Sequence, residues 1–308
     1  MLELLSLQTG VIFLLFLIGY ACRKFHVYDT AVQKGLSNLV LTIALPCKLL
    51  SSATLAIEDV GMAQARVFCI ICFVYFAVGI GVFTSLARVL RLDSIRRKQF
   101  GILAVFPASA FMGMPIASAL YGDRGVFFMG MFSIFYSMFQ YTYGIGIYTG
   151  IRKENIVRLA LNPLLISSCC MIMLFAFQIR LPALFQSTLS TVGQTSTPLS
   201  MFVVGGIVSE QSIRKVFLEK TCYLISFCRL LLIPLIVIAV FKLLRVDSFP
   251  AILLSIVFAL PSSSTSAVLA DKYADDSSYS SIAVAQSMLL FIVTIPLIIY
   301  ILDMLWVF

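Results

Sequence analysis

Pro107–Ala108–Ser109–Ala110–Phe111–Met112–Gly113–Met114–Pro115 lies in the middle of a run, Gln99 to Gly122, that carries no charged residue. The run is long enough to cross a membrane, which takes about 20 apolar residues. Two prolines and a glycine at its centre predict that the helix breaks midway, because proline lacks the N–H that an unbroken helix needs. A second break is predicted at Pro261–Ser262–Ser263–Ser264–Thr265–Ser266, inside the uncharged run Ser248–Ala270. We read the two breaks as halves of one central site.

Composition points the same way. Of 308 residues, 61% are hydrophobic and only 12% are charged, with mean hydropathy +1.04. Soluble domains carry about 25% charged residues, so the chain reads as an all-α polytopic membrane protein. The apolar runs are too long, and alternate too little, for barrel strands. The net charge of +8 lies in short loops, with no basic stripe or RNA-binding aromatic motif, so no nucleic-acid partner is expected. Leu4–Cys22 lacks a basic leader and a small-residue cleavage site, and is read as a retained first helix. Cys69 and Cys72 have metal-ligand spacing but sit inside the apolar run Val67–Ala87, and read as small buried hydrophobes.

Ten spans are expected, at roughly 4–22, 36–55, 67–87, 99–121, 126–148, 159–179, 187–208, 221–241, 249–270 and 278–302. Loops of odd number hold fifteen Lys and Arg residues against five in the even ones. The positive-inside rule then puts the odd loops in the cytoplasm and both termini outside. Leu120–Tyr121–Gly122–Asp123 ends the fourth span, and Lys272–Tyr273–Ala274–Asp275 ends the ninth; Pro46 in the second span is matched by Pro198 in the seventh. The expected architecture is two inverted five-helix repeats, 1–150 and 151–308, with broken helices 4 and 9. Such symmetry places a site near the midplane.

A broken helix leaves unpaired N–H groups and a positive dipole end where its second half starts. Pro115 suits a first helical turn, and Gly113 permits unusual dihedrals before it. Gly113–Pro115, and not Pro107, is therefore expected to mark the restart. Ser109, Gly113, Met114, Pro115, Ser263, Ser264, Thr265 and Ser266 are the expected substrate-binding residues, since facing helix starts make an anion site. Pro107, Pro115, Pro261, Pro46 and Pro198 are the candidate crossover or hinge positions. Lys48 lies well inside the second span, where a lysine costs about 2.5–3.5 kcal/mol on insertion scales. It reads either as a counter-charge for an anion or as a lysine snorkelling to the interface. Arg229 interrupts the eighth span and reads as a brace on freed carbonyls or a neighbouring carboxylate, ahead of a direct substrate contact. Asp271 either ends the ninth helix or serves ion coupling. Gln140, Tyr141 and Tyr143 form a polar cluster suited to helix–helix hydrogen bonds or to a cavity wall.

Enzyme signatures fail. His26 is the only histidine, and there is neither a Walker A loop nor a zinc-protease motif. No catalytic residue, metal or cofactor is expected.

The chain resembles the auxin efflux carrier (AEC) family of permeases. Four stretches carry the resemblance: Gly19–Tyr20–Ala21–Cys22–Arg23–Lys24 leading to Leu45–Pro46; Gly113–Met114–Pro115–Ile116 with Leu120–Tyr121–Gly122; Thr197–Pro198–Leu199 with Gly205–Gly206; and Arg229–Leu230 through Pro234, then Pro261 to Tyr273. The resemblance implies a carrier of organic acids such as malate or malonate, in which spans 1, 2, 6 and 7 form a scaffold, often dimeric, and spans 3–5 and 8–10 move. The loop between spans 5 and 6, about Gly150–Arg158, is short, as in prokaryotic members. Lys48 stands where the family usually has an apolar or small residue, and Ser109 and Phe111 lie where plant members have an asparagine.

The expectation is therefore a secondary or facilitative transporter of small carboxylates working by alternating access, in the cell (inner) membrane, a homodimer, with H+ or Na+ as possible coupling ion. The alternative is a membrane sensor that binds a ligand at the same breaks without translocating it.

Overall fold

The computed structural model describes residues 2–59, 61–150, 153–273 and 278–306. Helices dominate, as an apolar chain in lipid requires, because each helix satisfies its own backbone. In order they are α1 (Leu2–Lys24), α2 (Thr30–Leu39), α3 (Leu45–Asp59), α4 (Met62–Val89), α5 (Ser94–Val105), α6 (Met114–Phe139), α7 (Ile145–Thr149), α8 (Lys153–Ala160) and α9 (Pro163–Ala176). Then follow α10 (Ala183–Gln194), α11 (Ser196–Ser209), α12 (Ile213–Leu218), α13 (Lys220–Phe227), α14 (Ile233–Leu243), α15 (Ser248–Phe258), α16 (Ser264–Tyr273) and α17 (Ser278–Leu305). Loop residues start several of them: Asp29, Asp93 and Asn162 accept from backbone N–H groups of the helices that follow.

Four π-turns join pairs of these helices: Val40–Ala44, Ser109–Gly113, Gln140–Gly144 and Cys228–Leu232. Three of them stand just before a proline, namely Pro46, Pro115 and Pro234. The cause is steric. A proline ring clashes with the carbonyl four residues back and offers no N–H to it. A turn widened by one residue absorbs both defects and keeps the chain helical.

Among the described residues, four helical stretches are long and apolar enough to cross a membrane: Thr30–Thr54, Gln64–Val89, Lys220–Leu243 and Ser278–Leu305. A fifth, Glu154–Ala160 with Pro163–Ala176, is bent by 53° at its join. The chain is thus a multi-pass membrane protein. The fourth and ninth expected spans are not single helices of that length, because their breaks split them into pieces such as α5 and α15. Gly122, at φ 55°, turns the chain between the two halves of α6. Only glycine takes that dihedral without strain, and the turn falls on the Leu120–Asp123 motif.

The helices pack closely through small residues, as membrane interfaces do. α1 lies along α11, where a Cβ on Gly19 would stand 2.5 Å from the Phe202 Cα and one on Gly205 2.3 Å from the Phe16 carbonyl oxygen. α3 packs on α9 and α10, and α4 on α5. An aromatic cluster centred on Phe76, with Phe106, Phe132 and Phe139, fills the space beside the first break.

Candidate functional site

The first break follows α5. Phe106 turns extended (φ −92°, ψ 112°), Pro107 follows, and helix resumes at Ser109. The second follows α15 and runs extended through Pro261 to Ser263 before α16 begins. The two extended pieces cross antiparallel, with Pro107 paired to Ser262. Ala108 N–H donates to the Pro261 carbonyl at 2.9 Å, and Ser263 N–H to the Phe106 carbonyl at 3.0 Å. Each break thus supplies the backbone partners the other has lost, which apolar surroundings demand.

The carbonyl ends of the first half-helices meet on Arg229, which is fully buried. Its Nε donates to the Leu260 carbonyl at 2.9 Å, and its Nη1 to the carbonyls of Ala104 and Val105, both at 3.2 Å. Nη1 also bonds the Tyr75 hydroxyl, which itself donates to the Val105 carbonyl at 2.8 Å. The Tyr75 ring stacks on Phe258 with centroids 3.8 Å apart. Ser262 Oγ completes the end of α5 by donating to Leu103 at 2.9 Å. Arg229 itself lies in the π-turn Cys228–Leu232 that precedes Pro234.

Hydroxyls gather where the second halves start. Ser263 Oγ accepts from Thr265 N–H at 3.2 Å and lies 2.8 Å from the Tyr136 hydroxyl. Ser262 N–H donates to Ser287 Oγ at 3.1 Å. Ser109, Ser263, Ser264 and Ser266 are buried and Thr265 partly so. An apolar cavity of about 450 Å³, lined by none of these hydroxyls, lies between α1, the turn after the first break, α11 and α17. Phe13, Phe16, Met112, Ile116, Met288 and Phe291 line it.

The restart expected at Gly113–Pro115 is corrected. Helix begins at Ser109, and Met114 N–H reaches back to the Ser109 carbonyl through the π-turn. Gly113 is ordinary right-handed helix (φ −64°, ψ −47°). Its lack of a side chain makes room, since a Cβ there would stand 2.9 Å from Leu260 Cδ1 and 2.7 Å from Met129 Cε. Met114 is fully buried, and Pro115 lies in the first turn of α6. Pro46 and Pro198 likewise open no break: Pro46 follows a π-turn, and Pro198 sits in the first turn of α11.

Lys48 is buried on α3, and its ammonium donates to Thr197 Oγ1 on α11 at 3.3 Å, not to either break. Tyr141 and Tyr143 make hydrogen bonds between helices, to Asn162 at 3.0 Å and Thr84 at 2.7 Å. Gln140 is buried in its own π-turn with neither amide atom partnered. Asp271 belongs to α16, but its side chain lies outside the described residues. Sequence reasoning missed Tyr75, Tyr136 and Ser287. The available signal was a tyrosine hydroxyl inside each of two apolar runs, which has to find a partner when buried.

The profile of a family described as membrane transport protein matches residues 9–157 and 147–299. The chain is 23% identical over 274 residues to the uncharacterized transporter MJ1031 of Methanocaldococcus jannaschii, covering 85% of this chain and 87% of that one. It is 21% identical over 301 residues to the uncharacterized transporter YfdV of Escherichia coli K12, covering 94% and 95%. Protein ECM3 of Saccharomyces cerevisiae is 28% identical over 117 residues, 38% of this chain and 19% of that protein.

Proposed function

The chain belongs to the membrane transport protein family, that of the auxin efflux carriers, and from that premise we propose that it carries a small organic anion across the membrane by alternating access. The observation that carries the reading is the reciprocal backbone pair between the breaks, Ala108 to Pro261 and Ser263 to Phe106. It holds two half-helix starts, at Ser109 and Ser264, at one crossing. Helix starts present N–H groups and positive dipole ends, which suit a carboxylate.

In this reading Ser109 and Ser263–Ser266 meet the carboxylate, and the apolar cavity that Met112 and Ile116 line takes the carbon skeleton. Lys48 adds positive charge from the scaffold side. The ten spans form two inverted repeats, 1–150 and 151–308. α1–α3 and α8–α11 make a scaffold that dimerises, and the crossing moves against it with the remaining helices. The protein sits in the cell membrane with both termini outside and acts without a catalytic step.

Purified protein in proteoliposomes tests this. Uptake of mono- and dicarboxylates is expected, with counterflow when the same acid is loaded inside. Binding without exchange would make the protein a sensor, and neither binding nor movement of any carboxylate would remove the substrate class.

A further inference from the structure

We propose that Arg229 is the resident cation of the crossing, filling the oxygen cage in which an alkali coupling ion would otherwise sit. Freed carbonyls and helix C-terminal ends at broken helices are the groups that coordinate sodium in carriers of this general build. Here such oxygens converge from three directions. The carbonyls of Ala104 and Val105 end α5, the Leu260 carbonyl follows α15, and the Tyr75 hydroxyl comes from α4. All four bond the guanidinium of Arg229.

The fit is chemical as well as geometric. A guanidinium is planar and presents its donors in a rigid fork, which suits oxygens converging from several helices. Its described partners are neutral oxygens, with no carboxylate among them. It neutralises the negative ends of α5 and α15 and repels a second cation placed within a few ångströms. Sodium therefore has no place at the carbonyl pole of the crossing, whose oxygens Arg229 already occupies. This goes beyond the carrier reading and stands whether or not a carboxylate is the cargo.

Thermal melting of the purified full-length protein tests the assignment without reference to transport. Wild type is expected to melt at the same temperature in sodium chloride and in choline chloride of equal ionic strength. Arg229→Ala empties the cage, so its melting temperature falls, and low-millimolar guanidinium is expected to raise it by a few degrees where choline does not. Arg229→Lys retains the charge and is expected to stay indifferent to sodium, which keeps the question open to measurement if Arg229→Ala does not fold. The proposal is overturned by a sodium-specific rise in the melting of wild type or of Arg229→Lys. It is equally overturned if folded Arg229→Ala ignores guanidinium.

Discussion

The Tyr136 hydroxyl lies 2.8 Å from Ser263 Oγ, and both side chains are buried at the start of α16. Ser263 Oγ has a second task, accepting from Thr265 N–H. Tyr136→Phe removes one neutral hydrogen bond and leaves that second contact, so a loss of about 0.5–1.5 kcal/mol is expected. Ser263→Ala removes both contacts and strands a buried hydroxyl, and should cost about 1–3 kcal/mol. Because the residues share the bond, the double variant should lose less than the sum of the two. Melting temperatures check the ranking. Uptake kinetics add that Ser263→Ala raises KM more than Tyr136→Phe does.

Packing predictions rest on glycines whose neighbours are backbone. A Cβ at Gly193 would stand 2.7 Å from the Lys48 Cα, where α10 crosses α3, and nothing there is free to swing aside. Gly193→Ala should destabilise by about 1–3 kcal/mol. Gly81 in α4 has open space around its Cβ position. Gly81→Ala should be neutral, or stabilising by up to about 1 kcal/mol through helix propensity. Thermal melts of the two variants side by side decide the matter, and equal losses would show that the α3–α10 contact can yield to a methyl group.

Lys48 separates charge from hydrogen bonding. Thr197→Val removes the ammonium's partner and keeps its charge, so transport KM should change by less than about twofold, the loss being that of one partly buried hydrogen bond that water replaces. Lys48→Gln removes the charge, and the KM for a carboxylate should rise about tenfold, equivalent to about 1.4 kcal/mol. Equal effects of the two substitutions on melting, with neither moving KM, would assign Lys48 to packing between α3 and α11 alone.

The parts of this molecule that were legible in the sequence are those written in local chemistry. Prolines inside apolar runs mark 107 and 261 because a missing N–H acts on its own helix, and Arg229 stands out because a charge there has to find partners. What was hidden depends on register and distance. Whether Pro115 breaks a helix or is absorbed depends on one extra residue in the turn before it, and no residue type encodes that insertion. Arg229's partners come from α4, α5 and the break after α15, more than 120 positions apart in the first two cases. Tyr75 reads in sequence as one aromatic among many. Lys48 is legible as a deep charge, but depth alone does not specify that α11, through Thr197, is the helix beside it.

The position of the helix restart yields the sharpest contrast between two substitutions. Ala108 has φ −72°, which a proline ring accepts. Ala108→Pro therefore changes little at that residue's own dihedral and removes its N–H, which bonds the Pro261 carbonyl. The stranded carbonyl is buried, so a loss of about 1–3 kcal/mol is expected, together with loss of transport as the crossing opens. Pro115→Ala acts seven residues later, where helix already runs. It returns an N–H to α6 and lets the π-turn tighten, with a change in stability within about 1 kcal/mol. A restart at Gly113–Pro115 demands the reverse order, with Pro115→Ala the damaging change and Ala108→Pro tolerated. Melting and uptake of the two variants distinguish the arrangements directly, because neither substitution touches Arg229 or the hydroxyls of α16.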